Sequence, residues 1–304
     1  MIQLIKPPDL KKGDCIGLFS PSGPIRDVDK VKAGIQVLHK MGFRTIEMKS
    51  GGQEHDYLAA DDQTRLDEFH ALWSDREVKA LMAIRGGYGC MRIVDKVNFD
   101  LIHMNPKHLI GFSDITVLLN AINSQSGLMT IHGPVVSSLA GSERESIATL
   151  QSMLTGNPPS TFTADTITIL RSGRARGVLR GGNLATLVHM VGTPWEVPME
   201  NTLLLLEDTG EPMYRIDRML TQLHQSGMFQ DISGVLLGTF DLGGETGEEE
   251  TLRNETWNRV LELTNDIACP VWGNFPSGHQ VSNHPVPFGS EATIDSETKK
   301  LVIS

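Results

Sequence analysis

The chain has 304 residues, which is long enough for two domains and a substantial hydrophobic core. Hydrophobic residues make up 39% and charged residues 21% of the sequence, a composition that excludes a disordered or fibrous protein. Lysine and arginine number 27 against 37 aspartates and glutamates, and the net charge of −10 at pH 7 argues against nucleic acid as a partner.

The cysteines and the apolar runs indicate the compartment. Cys15, Cys90 and Cys269 are widely separated and odd in number, so they predict neither a CxxC motif nor a disulfide framework. Residues 1–14 contain no apolar run long enough for a signal-peptide core, and no later segment approaches the roughly 20 apolar residues of a membrane span. We therefore expect a soluble cytoplasmic protein that does not bind membranes.

Short apolar runs alternate with amphipathic stretches in the first half of the chain. The spacing predicts a helix over residues 28–41, which precede Gly42, a typical helix C-cap. The runs predicted as buried strands are residues 15–19, 45–48, 78–84 and 108–110. This alternation predicts an α/β fold with a parallel sheet, in which ligands bind beyond the carboxyl ends of the strands.

The pattern changes near Gly156, where glycine, proline and serine cluster. Residues 161–170 alternate apolar and polar residues, as an exposed strand or a linker does. We expect a domain boundary there, with an N-terminal domain over residues 1–158, a linker over 159–174 and a smaller C-terminal α/β domain over 175–304.

The second half has its own regular elements. Apolar strands are predicted at residues 203–206 and 235–240, an amphipathic helix at 213–223 and a hairpin at 292–303. The acidic run at 245–250 is interpreted as a solvated face at a helix start, where negative charge favours the helix dipole.

Ser113 lies where the strand at 108–110 should turn sharply into a helix over residues 115–122. Such a turn exposes the hydroxyl and directs a helix N-terminus at the reacting group, so Ser113 is a candidate nucleophile. Capping of the helix by Ser113 or Asp114 is an equally good interpretation of this segment. The GxSxG elbow is absent, because position 115 is isoleucine, and a thiol-dependent amidotransferase is excluded because no cysteine stands here.

The glycine-rich loop over residues 85–89 is a candidate oxyanion site. Glycine lets the backbone approach a reacting group closely and present an N–H without a side chain in the way. A phosphate cradle or a tight turn would have the same composition, although the loop matches neither the GxGxxG fingerprint nor a P-loop.

Two histidines in a glycine-flanked loop, His279 and His284, are the candidate general bases. A metal site built from both with Glu207 or Asp208 is a weaker alternative, because no HExxH or comparable ligand spacing supports it.

Glu207 follows a wholly apolar strand and needs a partner if it is buried. A histidine is one suitable partner, since a carboxylate would fix the imidazole tautomer and stabilise the imidazolium. Arg215 or Arg218 would be a structural partner instead.

Several short motifs, taken in chain order, resemble those of the LD-carboxypeptidases, a family of serine peptidases that also includes the microcin C self-immunity peptidases. The match extends from the first strand to the C-terminal hairpin. The motifs are Arg85-Gly86-Gly87-Tyr88-Gly89, Gly111-Phe112-Ser113-Asp114, Arg180-Gly181-Gly182-Asn183-Leu184, Gly192-Thr193-Pro194-Trp195, Leu206-Glu207-Asp208 with Glu211-Pro212, and Gly278-His279.

The resemblance implies a catalytic triad of Ser113, Glu207 and His279, with the nucleophile on an amidotransferase-like (flavodoxin-like) domain and the other two residues on the C-terminal domain. It also implies an oxyanion hole formed by the backbone N–H groups of Asp114 and Gly87. The residues in motifs that line the same cleft are expected to contact the substrate: Asn183, Trp195 and Tyr88. No metal or organic cofactor is required, and the resemblance favours a homodimer.

The implied function is a carboxypeptidase that releases the terminal D-alanine from murein tetrapeptide during peptidoglycan recycling, with a small peptide or muropeptide as substrate. One alternative is a self-immunity peptidase that cleaves a peptidyl-aminoacyl nucleotide, although residues 182–207 contain no long insertion to bind a nucleobase. Another is a non-catalytic binding protein on the same scaffold, against which the joint presence of the three triad residues argues.

Overall fold

The computed structural model describes residues 4–47, 56–163, 165–243 and 247–304. The chain forms two compact units, Met1–Pro158 with His284–Pro287 and Pro159–Asn283 with Phe288–Ser304. Met48 of a predicted strand and Glu245 of the acidic run lie outside the described residues. None of the helices in the described ranges is long and apolar enough to cross a membrane.

The first unit alternates strands and helices, as the sequence predicts. Its elements are β1 (Cys15–Phe19), α1 (Val28–Lys40), β2 (Arg44–Glu47), α2 (Asp62–Ser74), β3 (Val78–Ala83), α3 (Phe99–Met104), β4 (His108–Gly111), α4 (Thr116–Ser126), β5 (Thr130–His132), α5 (Val136–Leu139) and α6 (Arg144–Leu154). Short 3₁₀ turns lie at Cys90–Arg92, Val94–Lys96 and Ser113–Ile115.

The second unit contains longer strands and three helices within its described residues. Its elements are β6 (Thr161–Thr163), β7 (Thr168–Arg171), β8 (Arg174–Asn183), α7 (Leu184–Met190), β9 (Thr202–Thr209), α8 (Met213–Gln225), β10 (Ile232–Asp241), α9 (Glu249–Leu263), β11 (Val271–Gly273), β13 (Glu291–Asp295) and β14 (Lys300–Ile303), with β12 (Val286–Phe288) between β11 and β13 in the chain.

One sheet of the described chain has the strand order β12-β5-β4-β3-β1-β2. The pairs among β1 to β5 are parallel, and β1 and β4 are buried along their whole length, as their apolar sequences predict. Because β4, β3 and β1 are neighbours, the loops after their carboxyl ends lie at one edge of the sheet. Those loops contain Ser22, the glycine-rich segment 85–89 and Ser113.

Two of the helices in this unit, α1 and α2, are capped at their N-termini by aspartates. Asp27 accepts a hydrogen bond from the backbone N–H of Lys30 at the start of α1, and Asp61 accepts one from Thr64 at the start of α2. The buried face of α2 includes Phe69, whose ring centroid lies 5.4 Å from that of Phe19 on β1. Aromatic packing thus anchors α2 against the strand that leads to the first loop.

The other sheet of the described residues is mixed, with the order β6-β14-β13-β8-β9-β10-β11-β7. Its four central strands, β8 to β11, run parallel, and the outer pairs are antiparallel. This mixed sheet and the parallel sheet of the first unit together make the protein an α/β fold of two units, as the sequence predicts.

The structure corrects two sequence-based boundaries in the second unit. The segment predicted as a linker over 159–174 contains β6 and β7, which pair with β14 and β11, and its alternating pattern is that of half-covered edge strands. The strand predicted to end at Leu206 continues to Thr209, because β8 pairs with it as far as Glu207 and β10 pairs with Asp208 and Thr209. Glu207 therefore lies inside a strand rather than after it.

Candidate active site

Ser113 lies at a strained turn directly after β4. Its φ of 62° falls in the left-handed region, which costs a residue other than glycine about 1–3 kcal/mol. The following 3₁₀ turn and α4 begin without a capping side-chain hydrogen bond, so capping does not account for this serine. The backbone instead holds a half-buried hydroxyl at the end of the strand, as a nucleophile requires.

Asp114 connects the loops on either side of Ser113. Its buried carboxylate oxygen Oδ2 accepts hydrogen bonds from Ser22 Oγ at 2.5 Å and from the backbone N–H of Cys90 at 2.9 Å. Burial raises the pKa of Asp114, while the donors from Ser22 and Cys90 act in the opposite direction. The side chain thus ties the loop after β1 to the loop after β3, and its backbone N–H stays next to Ser113.

The glycine-rich loop packs directly against Ser113. A Cβ atom on Gly86 would lie 2.9 Å from Ser113 Cβ and 3.0 Å from Ser113 Oγ, so only glycine leaves the hydroxyl uncovered. Gly87, the sequence-predicted oxyanion donor, has a φ of 129°, and a Cβ atom there would lie 3.0 Å from the backbone nitrogen of Gly23. The loop thus approaches Ser113 at Gly86 and the loop after β1 at Gly87.

Two exposed tyrosines lie close together, and one of them belongs to this loop. Tyr88 is 49% exposed and Tyr57 is 48% exposed, and their ring centroids are 5.8 Å apart. Tyr88 was expected from its motif, whereas Tyr57 lies outside every motif and no signal in the sequence singles it out.

In the second unit, buried Glu207 and half-buried His279 form a hydrogen-bonded pair. His279 Nδ1 lies 2.6 Å from Glu207 Oε2, and the glutamate side chain is fully buried. An ionised carboxylate only accepts hydrogen bonds, so Nδ1 carries the proton and donates it, which leaves Nε2 as the basic nitrogen. Glu207 therefore pairs with the histidine rather than with an arginine.

The electrostatics of the pair favour a strong base. Burial alone would lower the pKa of His279, but Glu207, helped by Asp208 and Asp241, outweighs burial and raises it. A raised pKa means that the imidazolium formed during attack on a substrate is stabilised in place.

The loop before His279 is shaped by Gly278, which has a φ of 109°. A Cβ atom at this position would lie 2.8 Å from both Glu207 Cβ and Glu207 Oε2, so the loop approaches the carboxylate closely only because the residue is glycine. Asn283 Oδ1 accepts a hydrogen bond from the Gly278 N–H at 3.0 Å and fixes the loop.

Gly278→Ala is expected to lower kcat by roughly 10²-fold, because the added methyl group displaces Glu207 from His279. Gly13→Ala is the matched control, since Gly13 has a φ of 90° with nothing within 4 Å of an added Cβ. Steady-state peptide hydrolysis by both variants separates the clash from the backbone strain. Equal losses in the two variants would contradict the role given to Gly278.

Asp208, an alternative metal ligand in the sequence, instead holds neighbouring residues in place. It accepts hydrogen bonds from Asn183 Nδ2 and from the backbone N–H of Ala185, both at 2.9 Å. Burial, together with the nearby charge of Glu207, raises the pKa of Asp208 to about 6. Asn183 is buried and caps α7 through Thr186, whereas Trp195 is half-buried in the loop after α7.

The remaining sequence alternatives have other surroundings. Arg215 Nη1 lies 3.3 Å from Glu211 Oε2, and Arg218 packs over the ring of Tyr214. His284 belongs to the first unit, where burial lowers its pKa. Across the described ranges, no group of three or more His, Cys, Asp or Glu side chains is arranged to hold a metal ion.

Comparison with known proteins identifies the family. A family model described as the LD-carboxypeptidase N-terminal domain matches residues 16–133, and one described as the LD-carboxypeptidase C-terminal domain matches residues 176–294.

Individual relatives align over nearly their whole length. A probable murein peptide carboxypeptidase of Bacillus subtilis is 36% identical over 303 residues, covering 98% of this chain and 94% of that protein. The microcin C7 self-immunity protein MccF of Escherichia coli is 26% identical over 328 residues, covering 97% and 94%. The crystal structure of a muramoyltetrapeptide carboxypeptidase from Oxalobacter formigenes superimposes with a TM-score of 0.80 at 25% identity, covering 95% and 97%. The chain thus belongs to the LD-carboxypeptidase family and is a peptidase.

Proposed function

We propose that the protein is a serine carboxypeptidase that hydrolyses the L,D peptide bond of murein tetrapeptide and releases the terminal D-alanine. The observation that carries the proposal is the Glu207–His279 pair, whose hydrogen bond fixes the imidazole as a base. The murein and muramoyl peptides named for two similar proteins supply the substrate class.

In this proposal Ser113 is the nucleophile and His279 Nε2 takes its proton. The Ser113 oxygen forms a bond to the carbonyl carbon, and the oxyanion is stabilised by the backbone N–H groups of Asp114 and Gly87. The protonated histidine then donates its proton to the departing D-alanine nitrogen. Water, deprotonated by the same histidine, hydrolyses the acyl-enzyme and restores Ser113.

The substrate contacts complete the proposal. Asn183, Trp195 and Tyr88 are assigned to the walls that hold the peptide, in which Tyr88 offers an exposed ring. The reaction is assigned to the cytoplasm, where the buried free thiols of Cys15 and Cys269 would remain reduced.

A second candidate function is cleavage of a peptidyl-aminoacyl nucleotide. The similarity to the microcin C7 self-immunity protein favours it, because that alignment also spans nearly the whole chain. Both reactions use the same nucleophile and base and differ in the group that leaves.

The two functions are separated by incubating the purified protein with disaccharide tetrapeptide and, in parallel, with a peptidyl adenylate. We expect free D-alanine by mass spectrometry from the first substrate at a rate far above any turnover of the second. Release of the nucleotide moiety alone would assign the protein to the second function, and turnover of neither would contradict both.

Activity is expected to survive dialysis against EDTA unchanged, because the proposed triad uses a serine, a histidine and a glutamate and needs no metal. Hydrolysis is measured before dialysis, after it and after addition of zinc. A loss that zinc restores would favour the metal alternative with His279 as a ligand.

A further inference from the structure

Arg65 is a buried arginine in the first turn of α2 whose side chain has no solvent exposure. Its guanidinium donates hydrogen bonds to four acceptors. Nε donates to the backbone carbonyl of Ala60 at 3.2 Å, and Nη2 donates to Asp62 Oδ1 at 2.5 Å. Nη1 donates to two further carbonyls, those of Pro21 and Gly89, the latter at 3.0 Å.

Those two carbonyls belong to the loops that surround Ser113. Pro21 lies in the loop after β1 and Gly89 in the loop after β3. The loop after β3 lies so close to Arg65 that a Cβ atom on Gly89 would be 2.7 Å from Arg65 Nη1. One nitrogen of the guanidinium therefore holds two separate segments of the chain together.

Asp114 holds the same two segments from the other side. The residues that follow Pro21 and Gly89 are Ser22 and Cys90, and both donate to Asp114 Oδ2. The peptide group between residues 89 and 90 thus gives its carbonyl to Arg65 and its N–H to Asp114. A buried cation and a buried anion are linked through one peptide group, next to the nucleophile.

We propose that Arg65 is a positioning residue for catalysis, which sets the glycine-rich loop against Ser113 by gripping the carbonyls of Pro21 and Gly89 opposite Asp114. The inference rests on the proposed function, because it assigns Ser113 as the nucleophile and residues 85–89 as the oxyanion loop. Arg65 itself contacts neither the substrate nor the reacting atoms.

The chemistry of the guanidinium explains why an arginine stands here. Burying a cation is costly unless it is paired and hydrogen-bonded, and Arg65 uses Asp62 and three carbonyls for this. The planar guanidinium presents its donors in fixed directions, whereas a lysine ammonium is a point charge on a flexible stem. A rigid fork is suited to holding two loops at a fixed separation.

The test compares Arg65→Met with Arg92→Gln as the matched control. Arg92 also pairs with Asp62, at 2.9 Å from Nε to Oδ1, but it is 41% exposed and makes its side-chain hydrogen bonds to that carboxylate. The control therefore removes an arginine that pairs with the same carboxylate but donates to neither the Pro21 nor the Gly89 carbonyl. Arg65→Lys keeps the positive charge but not the planar guanidinium, and so tests which of the two is required.

Two measurements are made on each full-length variant. Hydrogen exchange followed by mass spectrometry reports the protection of peptides covering residues 86–92. The rate of phosphonylation by a fluorophosphonate, in which Ser113 displaces fluoride, reports the reactivity of the nucleophile independently of any peptide substrate.

We expect Arg65→Met to lose protection over 86–92 and to react roughly 10²-fold more slowly, with Arg65→Lys between it and the wild type. In tetrapeptide hydrolysis kcat should fall while KM stays within about threefold, as for groups that act in the transition state. Arg92→Gln should match the wild type in each measurement.

Unchanged exchange in Arg65→Met, or changed exchange with unchanged phosphonylation, would overturn the inference. If the methionine variant does not fold, a lysine variant that equals the wild type in both measurements overturns it. Failure of the proposed function is recognised separately, because the wild type would then neither react with the fluorophosphonate nor release D-alanine. The hydrogen-exchange comparison would still test whether Arg65 holds the two loops.

Discussion

Ser113→Ala is expected to abolish peptide hydrolysis, with kcat reduced by roughly 10⁴-fold or more, as when the nucleophile of a serine triad is removed. The change deletes one hydroxyl group from a half-buried turn and opens no cavity in the core. Alanine and serine experience the same left-handed strain at a φ of 62°, so the free energy of unfolding should change by less than about 1 kcal/mol.

Ser124→Ala provides the control for this result. Ser124 lies on α4, the helix that follows Ser113, and its hydroxyl donates to the carbonyl of Ala121 at 3.1 Å. Its removal should leave hydrolysis intact. Thermal denaturation of both variants, measured beside kcat, decides the assignment: a Ser113 variant that keeps its kcat and loses stability would show that the serine is structural.

The arrangement of the first unit was predictable because its signals are local. Strand β1 is short and wholly apolar, and the helix after it has regular apolar spacing and a glycine just beyond its end. The edge strands β6 and β7 could not be told from a linker, because half-covered strands of three or four residues have the same alternating pattern as an exposed linker.

The sequence singles out residues that lie in a motif and carry reactive side-chain chemistry of their own. Ser113, Glu207 and His279 meet that condition, and the structure brings the last two together. The role proposed for Arg65 could not be found in the sequence, because it depends on neighbours far along the chain. For Arg65 these are Pro21 and Gly89, which the sequence places 44 and 24 residues away.

Gly86 illustrates another limit of prediction from the sequence alone. Composition indicates that the loop over residues 85–89 approaches something closely, but which glycine faces the nucleophile depends on backbone angles. The structure places Gly86 beside the Ser113 side chain, whereas Gly87 packs on the loop after β1. The two glycines therefore meet different neighbours, and the donor role of the Gly87 N–H stays a proposal.

Glu207→Gln is expected to lower kcat by roughly two to four orders of magnitude while KM changes little. The carboxylate accepts a hydrogen bond from His279 Nδ1 at 2.6 Å and would stabilise the positive charge that arises only during the reaction. Glutamine still has a carbonyl oxygen, but it is neutral, and its amide group favours the wrong imidazole tautomer. Because the side chain is isosteric, the fold should be retained.

The pH dependence of kcat/KM tests the role of Glu207 in a second way. His279 acts as a base only when neutral, so kcat/KM rises as the pH increases through its pKa, which Glu207 and the neighbouring aspartates hold above the ordinary value. Without the glutamate charge, burial lowers that pKa, and the rising limb should move to lower pH in Glu207→Gln. Glu211→Gln is the matched control, because Glu211 pairs with Arg215 and should leave both kcat and the profile unchanged. A Glu207 variant with near-normal kcat and an unshifted limb would require another carboxylate, Asp208 first, to be tested as the partner of the base.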